Sequence, residues 1–167
     1  MRQLRRRSRL LPVLLFLGMG LVMAPLSSAT AEDPPGNNGT IKVDGVAFDD
    51  HPNNEPHVGC IFQIDYYGYD EGDFFATAKF VGIPPPRTNK NVLLTRERTF
   101  VGGDPAGGGT DLDGSETVDL TPYLSKLTPF QDGTYHVKLV VNAPDGNGGT
   151  DRKSKVFWVS GCDVVNS

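Results

Sequence analysis

The chain has 167 residues, with 20 Asp and Glu against 16 Lys and Arg and a formal net charge of −4. That length suits a single domain around one core. The acidic balance argues against nucleic acid and anionic lipid as partners.

The first element is a leader. Arg2, Arg5, Arg6, Arg7 and Arg9 precede an apolar run from Leu10 to Leu26, and Ala29-Thr30-Ala31 follows as a small-x-small site. This is the layout of a secretory signal peptide, residues 1–31, with cleavage expected after Ala31. Cleavage removes five arginines and no acid, leaving 11 Lys and Arg against 20 Asp and Glu, a net charge of −9. No cysteine stands directly after the site to take a lipid, and VSGCDVVNS at the C-terminus carries no hydrophobic tail. The expected location is therefore secreted and extracellular, with no membrane contact after signal cleavage. Residues 32–39, EDPPGNNG, read as a flexible lead-in, residues 40–163 as one domain, and residues 164–167 as a tail.

The domain shows period-two alternation, with Gly, Pro, Asn and Asp between the runs. Seven runs are predicted as strands: 40–46, 58–68, 74–82, 91–101, 115–121, 133–143 and 151–160. PYLSKLTPFQ, between the fifth and sixth, could hold one helical turn. In the second run Val58, Cys60, Phe62, Ile64 and Tyr66 share a face, opposite Gln63 and Asp65. In the sixth, Tyr135, Val137, Leu139 and Val141 point in while His136, Lys138 and Asn142 point out. In the seventh, Val156, Trp158 and Cys162 are given the core parity. The fourth mixes charge into both faces and suits an edge strand. Seven short antiparallel strands predict an all-β, immunoglobulin-like sandwich. Asp132-Gly133-Thr134-Tyr135 partly matches a tyrosine corner, without the cysteine two residues on.

Two cysteines in an exported chain predict one disulfide, Cys60 to Cys162. If strands alternate in direction, Cys60 opens the second and Cys162 closes the seventh at the same end. That bond, rather than a metal, is expected to hold DDHPNNEPHVGC, residues 49–60. Pro52 and Pro56 stiffen this stretch, and Asp49, Asp50, Asn53 and Asn54 favour turns, so it is read first as a rigid polar connection. His51, Glu55 and His57 supply zinc or copper ligand types, but at no standard zinc spacing. Three acidic loops, 69–73, 102–116 and 144–151, should meet at the other end. There Asp104, Asp111, Asp113 and Glu116 are the candidate ligands for calcium, which takes hard oxygens on flexible loops. The other reading of that end is a solvated acidic surface. No cofactor is expected otherwise.

Catalysis has little support. The sequence holds no G-x-S-x-G, no H-E-x-x-H and no phosphate-binding glycine loop ahead of a helix. Carboxylates are plentiful, which keeps a hydrolase as a third reading. The first reading is a non-catalytic interaction module whose partner is extracellular or in the cell wall.

The segments H-P-N-N-E-P-H-V-x-C and K-V-F-W-V-x-G-C, with GGGTDLDGSETVDL and YHVKL between them, carry a resemblance. On these the chain resembles a group of small secreted actinobacterial proteins without an established function, over most of residues 37–162. Some members of that group look wall-anchored through a C-terminal sorting signal. This chain departs from them, ending at Asn166-Ser167. The resemblance implies an exported one-domain protein and supplies no reaction, ligand or functional residue.

Overall fold

The structure is a computed structural model that describes residues 39–50, 52–87, 90–107, 110–144 and 148–162. The signal peptide, the lead-in up to residue 38, His51, Asp145 and the tail lie outside the described residues. The chain divides into two units, Met1–Glu32 and Asp33–Ser167, and every element below belongs to the second.

The fold is all-β, with strands β1 (Thr40–Gly45), β2 (His57–Val58), β3 (Ile61–Tyr67), β4 (Phe75–Gly82), β5 (Asn91–Phe100), β6 (Leu112–Asp119), β7 (Tyr135–Pro144) and β8 (Thr150–Val159). A short helix, α1 (Thr121–Leu124), lies between β6 and β7. The strands form two sheets, in the orders β1-β3-β6 and β2-β8-β7-β4-β5. In chain order these are the A-B-E and G-F-C arrangements of an immunoglobulin-like sandwich, with β5 added beside β4. All pairings are antiparallel except one: β2 runs parallel to β8. The second predicted run is thus two strands, because the chain leaves β2 at Val58, passes Gly59 and Cys60, and enters the other sheet at Ile61.

Alternation explains the core. Val58, Cys60, Phe62, Ile64 and Tyr66 are buried, as are Ala76, Ala78 and Phe80 in β4 and Tyr135, Val137, Leu139 and Val141 in β7. Phe62 sits between the sheets, edge-on to Phe80 at 5.9 Å and to Phe157 at 5.2 Å. Aromatic pairs favour this geometry. In antibody domains a disulfide joins B to F through this region; here apolar side chains fill it. Leu120, Leu124 and Leu127 close one end of the core from around α1. Leu127 lies so near Gly82 that a Cβ there would come within 2.7 Å of it.

Strand β8 corrects the predicted parity. Phe157 and Val159 face the core, while Val156 and Trp158 lie outside. The register explains this, since Phe157 pairs with inward Val137 and Trp158 with outward His136. Cys162 does not continue the strand's alternation, because Gly161 turns the chain through a positive φ of 70°. Strand β5 is an edge strand, as expected, and Arg96, Glu97 and Arg98 interrupt its apolar character there. Asp65 faces away from the core, as its parity predicts, yet it is only 1% exposed.

Candidate functional site

Cys60 and Cys162 are disulfide-bonded, with Cα atoms 5.5 Å apart. The bond joins the start of β3 to the chain just beyond β8. Beside it, Trp158 N donates to Pro56 O (2.8 Å) and Ser160 N to Val58 O (3.1 Å). The stretch 52–60 is therefore held by backbone bonds as well as by the sulfurs. His57 is exposed on β2 opposite Trp158.

Glu55 groups with Asp44 and Asp49, with one ligand atom from each lying within 4.8 Å of the others. Residues 46–50, and again Asn54 and Glu55, return to the three-stranded sheet, with Phe48, Asp49 and Asp50 beside the outward residues Gln63 and Asp65. Glu55 N donates to Val43 O (2.8 Å), Gly45 N to Glu55 Oε2 (2.9 Å), and Asp49 N to Asp44 Oδ2 (2.9 Å). This return covers two strand carboxylates, Asp44 and Asp65. Asp65 Oδ1 accepts from Ser115 Oγ (2.6 Å) and Gln63 Nε2 (2.8 Å). Among the described residues Asp44 Oδ1 and Asp65 Oδ2 have no hydrogen-bond partner. Burial pushes the Asp44 carboxyl above its usual pKa, the Asp49 amide opposes this, and the Asp65, Glu55 and Asp49 charges add to the rise. A cavity of about 160 Å³ opens beside Asp65, lined also by Phe48, Asp49, Asp50, Gln63, Tyr67 and Leu112.

At the opposite end, Asp104, Asp111 and Asp113 form a second group within the same 4.8 Å limit. The loops that carry it are tied together. Gly68 N donates to Asp111 O (2.9 Å), Tyr69 N to Asp113 Oδ2 (2.8 Å), and Gly72 N to Gly102 O (3.1 Å). Gly107 N donates to Asp111 Oδ2 (2.6 Å). A Cβ at Gly102 would run into the Gly72 carbonyl, so glycine is needed where these loops cross. Asp113 is pushed up to about 6, first by burial and then by the Asp111 and Asp104 charges, against the Tyr69 amide. Its Oδ1 has no partner among the described residues. Glu116 stands apart from this group. Strand β6 begins at Leu112, earlier than predicted, so Glu116 lies within the strand, paired with Arg96 (3.2 Å) and accepting from Thr99 Oγ1 (2.9 Å). Asp151 pairs with Lys153 (2.8 Å).

A third feature lies on the outer face of the five-stranded sheet. His136 and Trp158 stack at 4.4 Å with 17° between their planes, and Phe130 meets Trp158 edge-on at 5.1 Å. Burial, and then the Arg87 charge, lower the His136 pKa, so the stacked ring is neutral over a wider pH range than a solvated histidine. A groove lined by Pro85, Pro129, Phe130, Gln131 and Asp132 adjoins the stack. One strand row further on, Val156, Lys138, Val81 and Val92 follow one another across β8, β7, β4 and β5. Val92 is 55% and Val156 49% exposed.

Sequence reasoning did not single out Asp44, Asp65 or Trp158 as surface features. Asp44 and Asp65 have outward parity, so only the folded-back loop reveals their burial. In the run KVFWV both parities are apolar, and nothing in the alternation told Phe157 from Trp158.

No helix among the described residues is long and apolar enough to cross a membrane. No protein-family model and no curated protein matches the chain. Solved structures similar to it include murine CRIg, at 15% identity over 74% of this chain and 97% of that one, with a TM-score of 0.38. A superoxide reductase (neelaredoxin) from Ignicoccus hospitalis is similar at 12% identity over 75% of this chain and 82% of that one, with a TM-score of 0.34. The sandwich rests on strand order and register rather than on these similarities, and neither neighbour's activity is carried over.

Proposed function

We propose that the protein is an extracellular, non-catalytic interaction module that engages a surface or cell-wall partner through the outer face of its five-stranded sheet. The observation that carries this reading is the uncovered row Val156-Lys138-Val81-Val92, flanked by the Trp158–His136 stack. Exposed apolar side chains set in one sheet face among polar ones are the composition of a contact surface. Lys79, Lys138 and Arg152 lie on the same face by register, so it is locally basic on a chain that is acidic overall. A polymer bearing hydroxyl and anionic groups matches that chemistry, with the Trp158 indole offering an apolar flank. The disulfide supports an oxidising location. The test is co-sedimentation of the purified protein with cell-wall preparations, with variants in the valine row as controls.

Calcium at Asp104, Asp111 and Asp113 is a second reading. It is favoured by their convergence within 4.8 Å and by the unpartnered Asp113 Oδ1. It would order the loops at that end without supplying a reaction.

A further inference from the structure

The group formed by Asp44, Asp49 and Glu55 has a feature that the acidic end lacks: one of its members is wholly buried. Asp44 is 0% exposed, and it lies on a strand rather than a loop. Its Oδ2 is occupied by the Asp49 amide at 2.9 Å, and its Oδ1 has no partner among the described residues. Asp65, a diagonal neighbour across the β1–β3 register, is 1% exposed and likewise keeps Oδ2 without a partner. Among the described residues neither carboxylate is paired with a lysine or arginine. Burying a carboxylate oxygen with neither a hydrogen bond nor a counter-charge is costly, and buried charges are ordinarily paired or bound to a metal.

We infer that Asp44, Asp49 and Glu55 form a divalent-cation site of the calcium type. The donors on offer are carboxylate oxygens, the hard ligands that calcium prefers. Ligand oxygens at about 2.4 Å on opposite sides of one calcium ion stand about 4.8 Å apart, so a set within 4.8 Å of one another can touch the same ion. The backbone prepares the site. Gly45 N holds Glu55 through Oε2, and Asp49 N holds Asp44 through Oδ2, so the backbone fixes both carboxylates while Asp44 Oδ1 is left without a partner among the described residues. The Asp49 carboxylate is the exposed member and stands at the entrance. An ion here would fasten residues 46–50 and Glu55 to the three-stranded sheet, at a place the disulfide does not reach directly. This site is separate from the proposed partner-binding face, which lies on the other sheet.

The test is calcium titration of the protein, purified without a histidine tag and freed of metal with a chelator, followed by melting temperature and calorimetry at pH 7.5. Sites of extracellular modules bind with Kd of about 10⁻⁴–10⁻³ M. Calcium at several millimolar should therefore raise Tm by about 3–6 °C. Asp49→Ala keeps the backbone amide that holds Asp44, so it should fold and bind calcium at least tenfold more weakly. Glu55→Gln should weaken binding in the same direction. Asp111→Asn with Asp113→Asn should leave this shift in place. The inference is overturned if 10 mM calcium moves neither Tm nor heat, if Asp49→Ala and Glu55→Gln titrate like the unaltered protein, or if the response vanishes only when Asp111 and Asp113 are changed.

Discussion

Phe62 and Asp113 show how single side chains carry this molecule. Phe62 is fully buried and is the ring that both Phe80 and Phe157 contact. Phe62→Ala should cost about 3–5 kcal/mol, the range for truncating a core aromatic. Phe62→Leu should cost clearly less; urea unfolding measures both. Asp113 acts through charge. Its folded pKa is raised to about 6 from 3.8, so folding favours its protonated form. Stability relative to an uncharged residue is therefore fully present below pH 3.8 and lost as pH rises through about 6. Asp113→Asn keeps an oxygen for the Tyr69 amide. In calcium-free buffer it should raise stability at pH 7.5, by a fraction of the roughly 1.4 kcal/mol that one pKa unit represents, since the site is partly solvated. At pH 3.5 the two proteins should unfold alike. Equal stability at pH 7.5 would mean that neither burial nor the Asp111 and Asp104 charges penalise ionised Asp113 as the geometry implies.

At the scale of elements, alternation made β3, β4 and β7 legible, because in each the polar residues fall on one face only. Strand β8 was not legible in this way: Val156, Phe157, Trp158 and Val159 are all apolar, and only pairing with β7 decides which face is covered. The strand split at Gly59-Cys60 was hidden for a related reason. Val58 and Phe62 keep the same parity through it, although the two pieces belong to different sheets. The burial of Asp44 and Asp65 was not legible, because a loop laid over the outer face of a strand leaves no periodic trace. The cysteine pair was legible because it needed only strand direction. The bond joins residues 102 apart in sequence, a closure worth about 4.7 kcal/mol in the chain-entropy model. Cys162→Ala should lower stability by about 2–5 kcal/mol in chemical denaturation. His57→Ala should cost under about 0.5 kcal/mol, since His57 is an exposed side chain. A Cys162→Ala protein as stable as the original would mean that the backbone bonds of Trp158 and Ser160 hold this end unaided.

For the whole molecule, the two sheets divide the chemistry. The three-stranded sheet carries buried carboxylates under the folded-back loop, and the five-stranded sheet carries valines, lysines and the tryptophan stack on an open face. Cations and apolar side chains gathered on one face of a chain with excess acid are the contrast on which the proposed contact surface rests. The most direct measurement is co-sedimentation with cell-wall preparations of the original protein and of Val92→Asp with Val156→Asp, both first shown to melt alike. Both valines are about half exposed, so the exchange should leave the core intact. The account predicts that the original protein pellets with the walls, and that the double variant stays in solution with at least tenfold weaker binding. Undiminished binding of the double variant, or no binding of the original protein, would contradict it.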